Sequence, residues 1–211
     1  MPSPRISSET SIRGLYAALA AADAAQGSVA ASAVSSGMGV SLLITVAALP
    51  TTRVGSIDDR KALTRATKDL FDAQRQLAAT IDVETLGRLV AAREMLQASD
   101  TQRNAREAAI QVALRAAADV PLEVMRLSAQ GLKAGQIVAG HGCRAASSDA
   151  ELAIALLRIG LVGARSSLEL KLNSLTDPTY TQAVVHEIAR LSEEGTTAAS
   201  AAESSLRVPA A

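Results

Sequence analysis

An all-α, up-and-down bundle of long helices is the fold this sequence predicts, on three observations. Hydrophobic residues make up 48% of the 211 residues but aromatic ones only 1%, so the core must be assembled from Ala, Leu, Val and Ile. Such small side chains let helices approach closely, whereas a sheet sandwich needs aromatic and β-branched strands. Apolar residues recur at helical spacing along the chain, with no strand signal and no internal repeat. Length favours one domain over residues 1–211, with frayed ends at 1–7 and about 200–211.

Residues 8–22 predict a first amphipathic helix with Ile12, Leu15, Leu19 and Ala22 on one face. An uncharged run from Ala24 to Thr52 follows, opened by AAQGSVAASAVSSGMGV. Its Ser, Gly and Ala content is unlike a membrane span, which carries denser Leu, Ile and Phe. A helix apolar all round belongs inside a bundle, so no membrane is expected as a partner. The helix ends near Pro50, and TTRVG makes a loop.

Ser56 and Asp59 form a capping-box start, with Asp in place of the usual Glu or Gln. The stripe Leu63, Leu70, Leu77, Ile81 then runs on through Leu86, Leu89 and Val90, a spacing suited to packing on a neighbouring helix. The next helix starts around Asp100 and carries Ile110, Leu114, Ala117, Val120, Val124 and Leu127, with Pro121 expected to kink it. GQIVAGHGCRAAS, residues 135–147, reads as a connection. Ser147 or Ser148 caps a helix from Asp149 to about Leu172, its face set by Leu152, Leu156, Ile159 and Gly163. Asp177 and Pro178 open the last helix, with Val184, Ile188 and Leu191 inward and a fraying tail from 196.

Composition narrows the chemistry. The 21 basic and 21 acidic residues are interleaved, and with no Trp, two Tyr and one Phe there is neither a basic footprint nor a stacking platform for nucleic acid. The lone Cys143 has no disulfide or CxxC partner, which suits a reducing, cytoplasmic compartment, and the N-terminus lacks a signal-peptide apolar core. His141 and His186 fall on different elements without a second metal ligand at helical spacing, so no metal is expected. Cys143 beside His141 has no activating surroundings and reads as a buried structural thiol. Asp149 is an ordinary first-turn acid, whereas Asp82 interrupts the apolar LAATIDVETL and must be paired or hydrogen-bonded if it nears the core.

Four segments stand in a suggestive order: GSVAA at 27–31 running into SGMG, Asp82-Val-Glu-Thr-Leu86, AAADVPLEVMRL at 116–127, and SDAELAIALLRIGLVGA at 148–164. Together they make the chain resemble the cyclodeaminase/cyclohydrolase family over about residues 8–200. Members of that family include methenyltetrahydrofolate cyclohydrolase and the cyclodeaminase half of formiminotransferase-cyclodeaminase. The resemblance implies a dimerising helical bundle that binds a folate one-carbon unit between helices, with no redox cofactor or metal. It implies acid–base chemistry in which water opens a methenyl bridge, or ammonia leaves a formimino group as the ring closes. Carried over by motif, Asp82 and Asp149 are the candidate catalytic groups, and Gly27, Ser28 and Ser148 contact substrate.

The departures fall mostly on polar, ligand-reaching positions. The family reads Pro-Thr-Pro-Gly-Gly-Gly-Ser-Val-Ala-Ala where residues 22–31 read Ala-Asp-Ala-Ala-Gln-Gly-Ser-Val-Ala-Ala. Ala25 and Gln26 thus place side chains where glycines admit a ligand, and Gln26 becomes a candidate substrate contact. ALPTTRVG replaces a polar, lysine-bearing segment, and Met95-Leu96-Gln97 replaces Leu-Pro-Lys. In the later Gly-Asn-x-Asn-Ala-x-Ser-Asp element Gly142, Ser148 and Asp149 match, but asparagines are lost at Cys143 and Ala145, and later at Ser167 and Lys171. Three activity classes follow: a divergent folate enzyme, an enzyme keeping C–N ring chemistry on a non-folate small molecule, and a non-catalytic binding or scaffold protein.

Overall fold

A computed structural model describes residues 7–20, 27–82 and 86–207. The described residues form seven α-helices, α1 (Ile12–Leu19), α2 (Gly27–Ala48), α3 (Ile57–Ile81), α4 (Leu86–Arg93), α5 (Asp100–His141), α6 (Ser147–Leu172) and α7 (Pro178–Arg207), with a single 3-10 turn at Arg144–Ala146. The helical class is therefore as the composition predicts. The only strand-like feature among them is an isolated bridge, Thr52 to Cys143.

Four long helices surround α5. α2 packs on α3, α5 and α6, while α7 lies along α5 and α6. α2 and α6 run antiparallel, as Ser28 meets Ser167 at one end and Gly39 meets Ala153 further down. α5 and α7 run parallel, joined by Arg126–Glu187 at 3.2 Å and Lys133–Glu194 at 2.7 Å. Leu43, Leu70, Met125, Leu132, Leu157 and Leu168, all fully buried, mark the shared core.

α2 is long and apolar enough to span a membrane by length and composition. Its inner face is nevertheless buried by neighbours, through Val29, Ala33, Val40, Leu43 and Val46. Close approach to α6 requires the glycines. A Cβ on Gly39 would stand 2.7 Å from the Ala153 carbonyl oxygen, and one on Gly160 would stand 2.8 Å from the Ser32 carbonyl oxygen. Buried serines on the same face are satisfied: Ser128 Oγ donates to the Val124 carbonyl, so Ser36 supplies the proton for the 2.7 Å Ser36–Ser128 contact.

Several local expectations change. Ile12 is exposed and only Ala18 of α1 is buried; Ala22 lies outside the described residues. The α3 stripe stops at Ile81, where Asp82 caps the helix, and α4 is a separate short helix with Val90 exposed. The 135–141 segment is not a connection, because α5 continues unbroken through Pro121 to His141, and Gly135 lets the Ile154 and Leu43 side chains approach. α6 starts at Ser147 with no side-chain cap, and Leu152 and Ile159 face outward while Ala153, Ile154, Leu157 and Leu161 face the core. The tail is helical to Arg207, with Ala198, Ala199 and Ala202 buried. The Ser56–Asp59 capping box and the Asp177 cap on α7 form as expected.

Candidate functional site

Two of the expected ligand-facing groups, Gly27 and Ser28, open α2. Their backbone N–H groups therefore have no carbonyl four residues back to bond within the helix. Ser28 Oγ lies 2.8 Å from Ser167 Oγ. Ser167 already donates to the Gly163 carbonyl at 3.1 Å, so Ser28 supplies the shared proton and keeps lone pairs free to accept. Gln26 lies outside the described residues.

One turn beyond Ser167 on the same helix stands Lys171. It is half-buried, and burial holds its ammonium below the usual lysine range. Among the described residues no hydrogen bond or ion pair engages it. The sequence registers Lys171 only as a lost asparagine; a lysine inside the last turn of an apolar helix is the signal that marks it.

Asp82 is exposed at the C-cap of α3. Its Oδ1 accepts from the Ser8 backbone N–H at 2.9 Å and its Oδ2 from the Ser8 hydroxyl at 2.7 Å. The carboxylate is thus bonded, as a residue near the apolar stripe requires, and it ties the segment before α1 to this end of the bundle. Along the axis it lies on the Gly27 side of Ser41: Gln74 bonds Ser41, and Asp82 follows on α3 about 12 Å closer to that end, about 9 Å short of Gly27.

Ser148 and Asp149 stand elsewhere. Both are exposed in the first turn of α6, on the side of Ala153 that leads away from Gly27. Counting helical rise through the Ser41–Gln74 and Gly39–Ala153 contacts puts Asp82 and Asp149 about 15 Å apart along the bundle axis. Within one chain the two aspartates are not brought together.

The Asp149 end is a knot of structural bonds. The Arg53 backbone N–H donates to the His141 carbonyl at 2.8 Å, its Nε to the Gly142 carbonyl at 3.2 Å, and its guanidinium also reaches the Ala139 carbonyl. The loop that replaces the family's lysine-bearing segment therefore caps α5. Cys143 is buried 3.0 Å from Thr51 Oγ1, whose hydrogen bond lowers the thiol's pKa. His141 Nε2 is 4.0 Å from Asp59, and His186 is exposed on α7. No three His, Cys, Asp or Glu groups among the described residues are placed to hold a metal.

Comparison with known proteins bears on this arrangement directly. Residues 11–190 match the family model for formiminotransferase-cyclodeaminase. The chain belongs to that family. Among its relatives, formimidoyltransferase-cyclodeaminase of Mus musculus is 26% identical over 193 residues, which is 90% of this chain and 36% of the mouse protein. The chain therefore spans about a third of that relative's length. Methenyltetrahydrofolate cyclohydrolase of Methylorubrum extorquens is 28% identical over 178 residues, covering 83% of this chain and 86% of the relative. The crystal structure of formiminotetrahydrofolate cyclodeaminase from Thermotoga maritima superposes with a TM-score of 0.80 at 19% identity, over 94% of this chain and 96% of that one. The helical bundle is the formiminotransferase-cyclodeaminase family's fold, carried here by a divergent sequence.

Proposed function

We propose that this chain is an acid–base enzyme that opens or closes a C–N ring on a tetrahydrofolate one-carbon unit, at the Gly27 end of α2. One observation carries the reading: the family match runs from residue 11 to 190 and so takes in Asp82 and the paired Ser28 and Ser167. In the opening direction water adds to the methenyl carbon, its proton passes to a base, and the broken C–N bond leaves a protonated nitrogen. In the closing direction the neighbouring secondary amine attacks the formimino carbon, gives up its proton to the formimino nitrogen, and that nitrogen leaves as ammonia. Neither requires a change of oxidation state.

Ser28 and the first backbone N–H groups of α2 orient the ligand's polar edge, and Gln26 is a further candidate contact by sequence. Asp82, held by Ser8, steadies the cationic carbon. Lys171, an amine whose neutral form burial favours, carries the proton. Ser148 and Asp149 support the start of α6, where an acid is favoured by the helix dipole.

The experiment is the loss of methenyltetrahydrofolate absorbance with purified protein, corrected for spontaneous hydrolysis. Acceleration is expected; Asp82→Asn lowers kcat/KM by about a hundredfold and Asp149→Asn by less than about threefold. No acceleration and no folate binding would overturn the assignment. A second reading, the same ring chemistry on a non-folate cyclic amidine or iminium, is favoured by one observation: Lys171 and Gln26 stand where the family keeps an asparagine and a glycine. Turnover of such a compound without folate binding selects it.

A further inference from the structure

The outward face of α3 gathers positive charge. Leu63, Ala66, Leu70, Ala73 and Leu77 turn into the core, and on the opposite side Ile57, Arg60, Lys61, Thr64, Arg65 and Lys68 line a groove of about 430 Å³. At 100° per residue these six fall within about 140° of the helix circumference, and Phe71 and Arg75 continue the same sector. Charges that interleave along the chain are thus separated in space. Lys61 pairs with Asp58 at 3.3 Å, and Asp72, the acid that falls inside the sector, pairs with Arg75. Among the described residues no hydrogen bond or ion pair engages the side chains of Arg60, Arg65 or Lys68.

We infer that this α3 face docks an acidic, amphipathic helical segment of a partner protein, its carboxylates on Arg60, Arg65 and Lys68 and its apolar groups on Ile57 and Phe71. Charge is the first argument. Lys61 with Arg65, and Arg65 with Lys68, are like charges one turn apart, an arrangement that works against a helix. No acid of the chain engages Arg65 or Lys68, whereas carboxylates brought from outside offset both.

The apolar residues are the second argument, because they select the kind of anion. Ile57 is 70% exposed and Phe71, the chain's single Phe, 50%. They stand fourteen residues apart, about 21 Å along α3, with the cations between them. A polyphosphate or a nucleic-acid backbone offers nothing apolar to either side chain. A helix lying on a lipid surface turns a broad apolar sector outward, and that of α3 is buried in the core. A helix about four turns long carries carboxylates and apolar groups on one face, and its side chains fill a concave groove.

Counting helical rise through the Gln74–Ser41 contact puts Lys68 about 30 Å from Gly27 along the bundle. An occupied groove therefore leaves the proposed substrate site open, and either reading can fail without the other. Fluorescence anisotropy tests the docking, with the full chain titrated into a labelled acidic peptide of about sixteen residues, leucine at both ends and a glutamate at each helical turn between. Saturable binding is expected, weakening as salt rises. Arg65→Glu combined with Lys68→Glu should weaken it at least about tenfold, and Phe71→Ser about threefold, with helical circular dichroism retained. Arg88→Glu, the same charge change on an exposed α4 position, should leave it intact. If the double glutamate variant loses helicity, Arg65→Gln combined with Lys68→Gln is read instead. Absence of binding, binding unchanged by the double variant, or equal binding of the peptide with glutamine for glutamate would each overturn the inference. So would tighter capture of tripolyphosphate, duplex DNA or phosphatidylcholine–phosphatidylglycerol vesicles through the same residues, or self-association of the chain that the double variant abolishes.

Discussion

Lys171 is the residue whose protonation the fold disturbs at the proposed site, and the sign of that disturbance is testable. Burial lowers its pKa, so the unfolded chain holds its proton to higher pH than the native one. Between the two values the unfolded state binds more protons, and stability rises with pH. Below the native value both states are charged and the desolvation cost is present in full. Lys171→Met should therefore be more stable than wild type at pH 7 in urea unfolding, with the gap closing as pH approaches the 10.5 of an ordinary lysine. An unchanged gap at high pH would mean burial does not set this amine's charge. The contrast with Asp82 shows what single residues reveal in a sequence. A carboxylate in an apolar run needs a partner, and that much is legible. The partner is Ser8, which no local pattern connects to a helix end so far along the chain.

Among the elements, α6 was the one whose orientation the sequence misassigned, and the reason is physical. Placing Leu152 and Ile159 inward follows the rule that the largest apolar groups fill the core. Here Ala153 and Gly160 take the closest positions against α2, where the backbones nearly touch, and Leu157 packs over Gly39 beside them. Helix starts were far more legible: Ser56–Asp59 and Asp177–Pro178 are local bonding patterns that need no tertiary information. Long-helix extent was not, since Gly135, Gly140 and Gly142 mark a loop by composition while α5 uses the first of them for packing. The α2–α6 contact makes a sharp prediction. A Cβ on Gly160 would fall 1.8 Å from Ser36 Oγ and 2.8 Å from the Ser32 carbonyl oxygen. A hydroxyl can rotate away, but the carbonyl belongs to helix backbone, so Gly160→Ala must push the two helices apart. The expected cost is about 2 kcal/mol, a fall in Tm of about 4–8 °C. Gly37→Ala, into open space, should instead leave the isolated chain as stable or more so.

At the scale of the molecule, the long parallel pair α5 and α7 is joined by a ladder of ion pairs, and that ladder fixes how the bundle responds to acid. Arg126 reaches Glu187 at 3.2 Å, Lys133 reaches Glu194 at 2.7 Å, and Arg190 bridges both glutamates from within α7 at 2.8 and 2.7 Å. Below them Tyr180 donates to Asp119 at 2.6 Å and lies under the Arg115 guanidinium. Hydrogen bonding from Arg190 first, then from Arg126, holds Glu187 down at about 2; Lys133 first, then Arg190, lowers Glu194. A carboxylate whose native pKa is depressed adds stability above its unfolded value of 4.5, and that stability is lost as pH falls from 4.5 toward 2. Solvent screens these partly exposed pairs, so Glu187→Gln should cost about 1 kcal/mol at pH 7 rather than the full value of the shift. The mutant and wild type should then converge in urea or thermal unfolding as pH falls below about 2, where both carry a neutral side chain. A difference that persists undiminished at that pH would place the role of Glu187 in packing rather than charge.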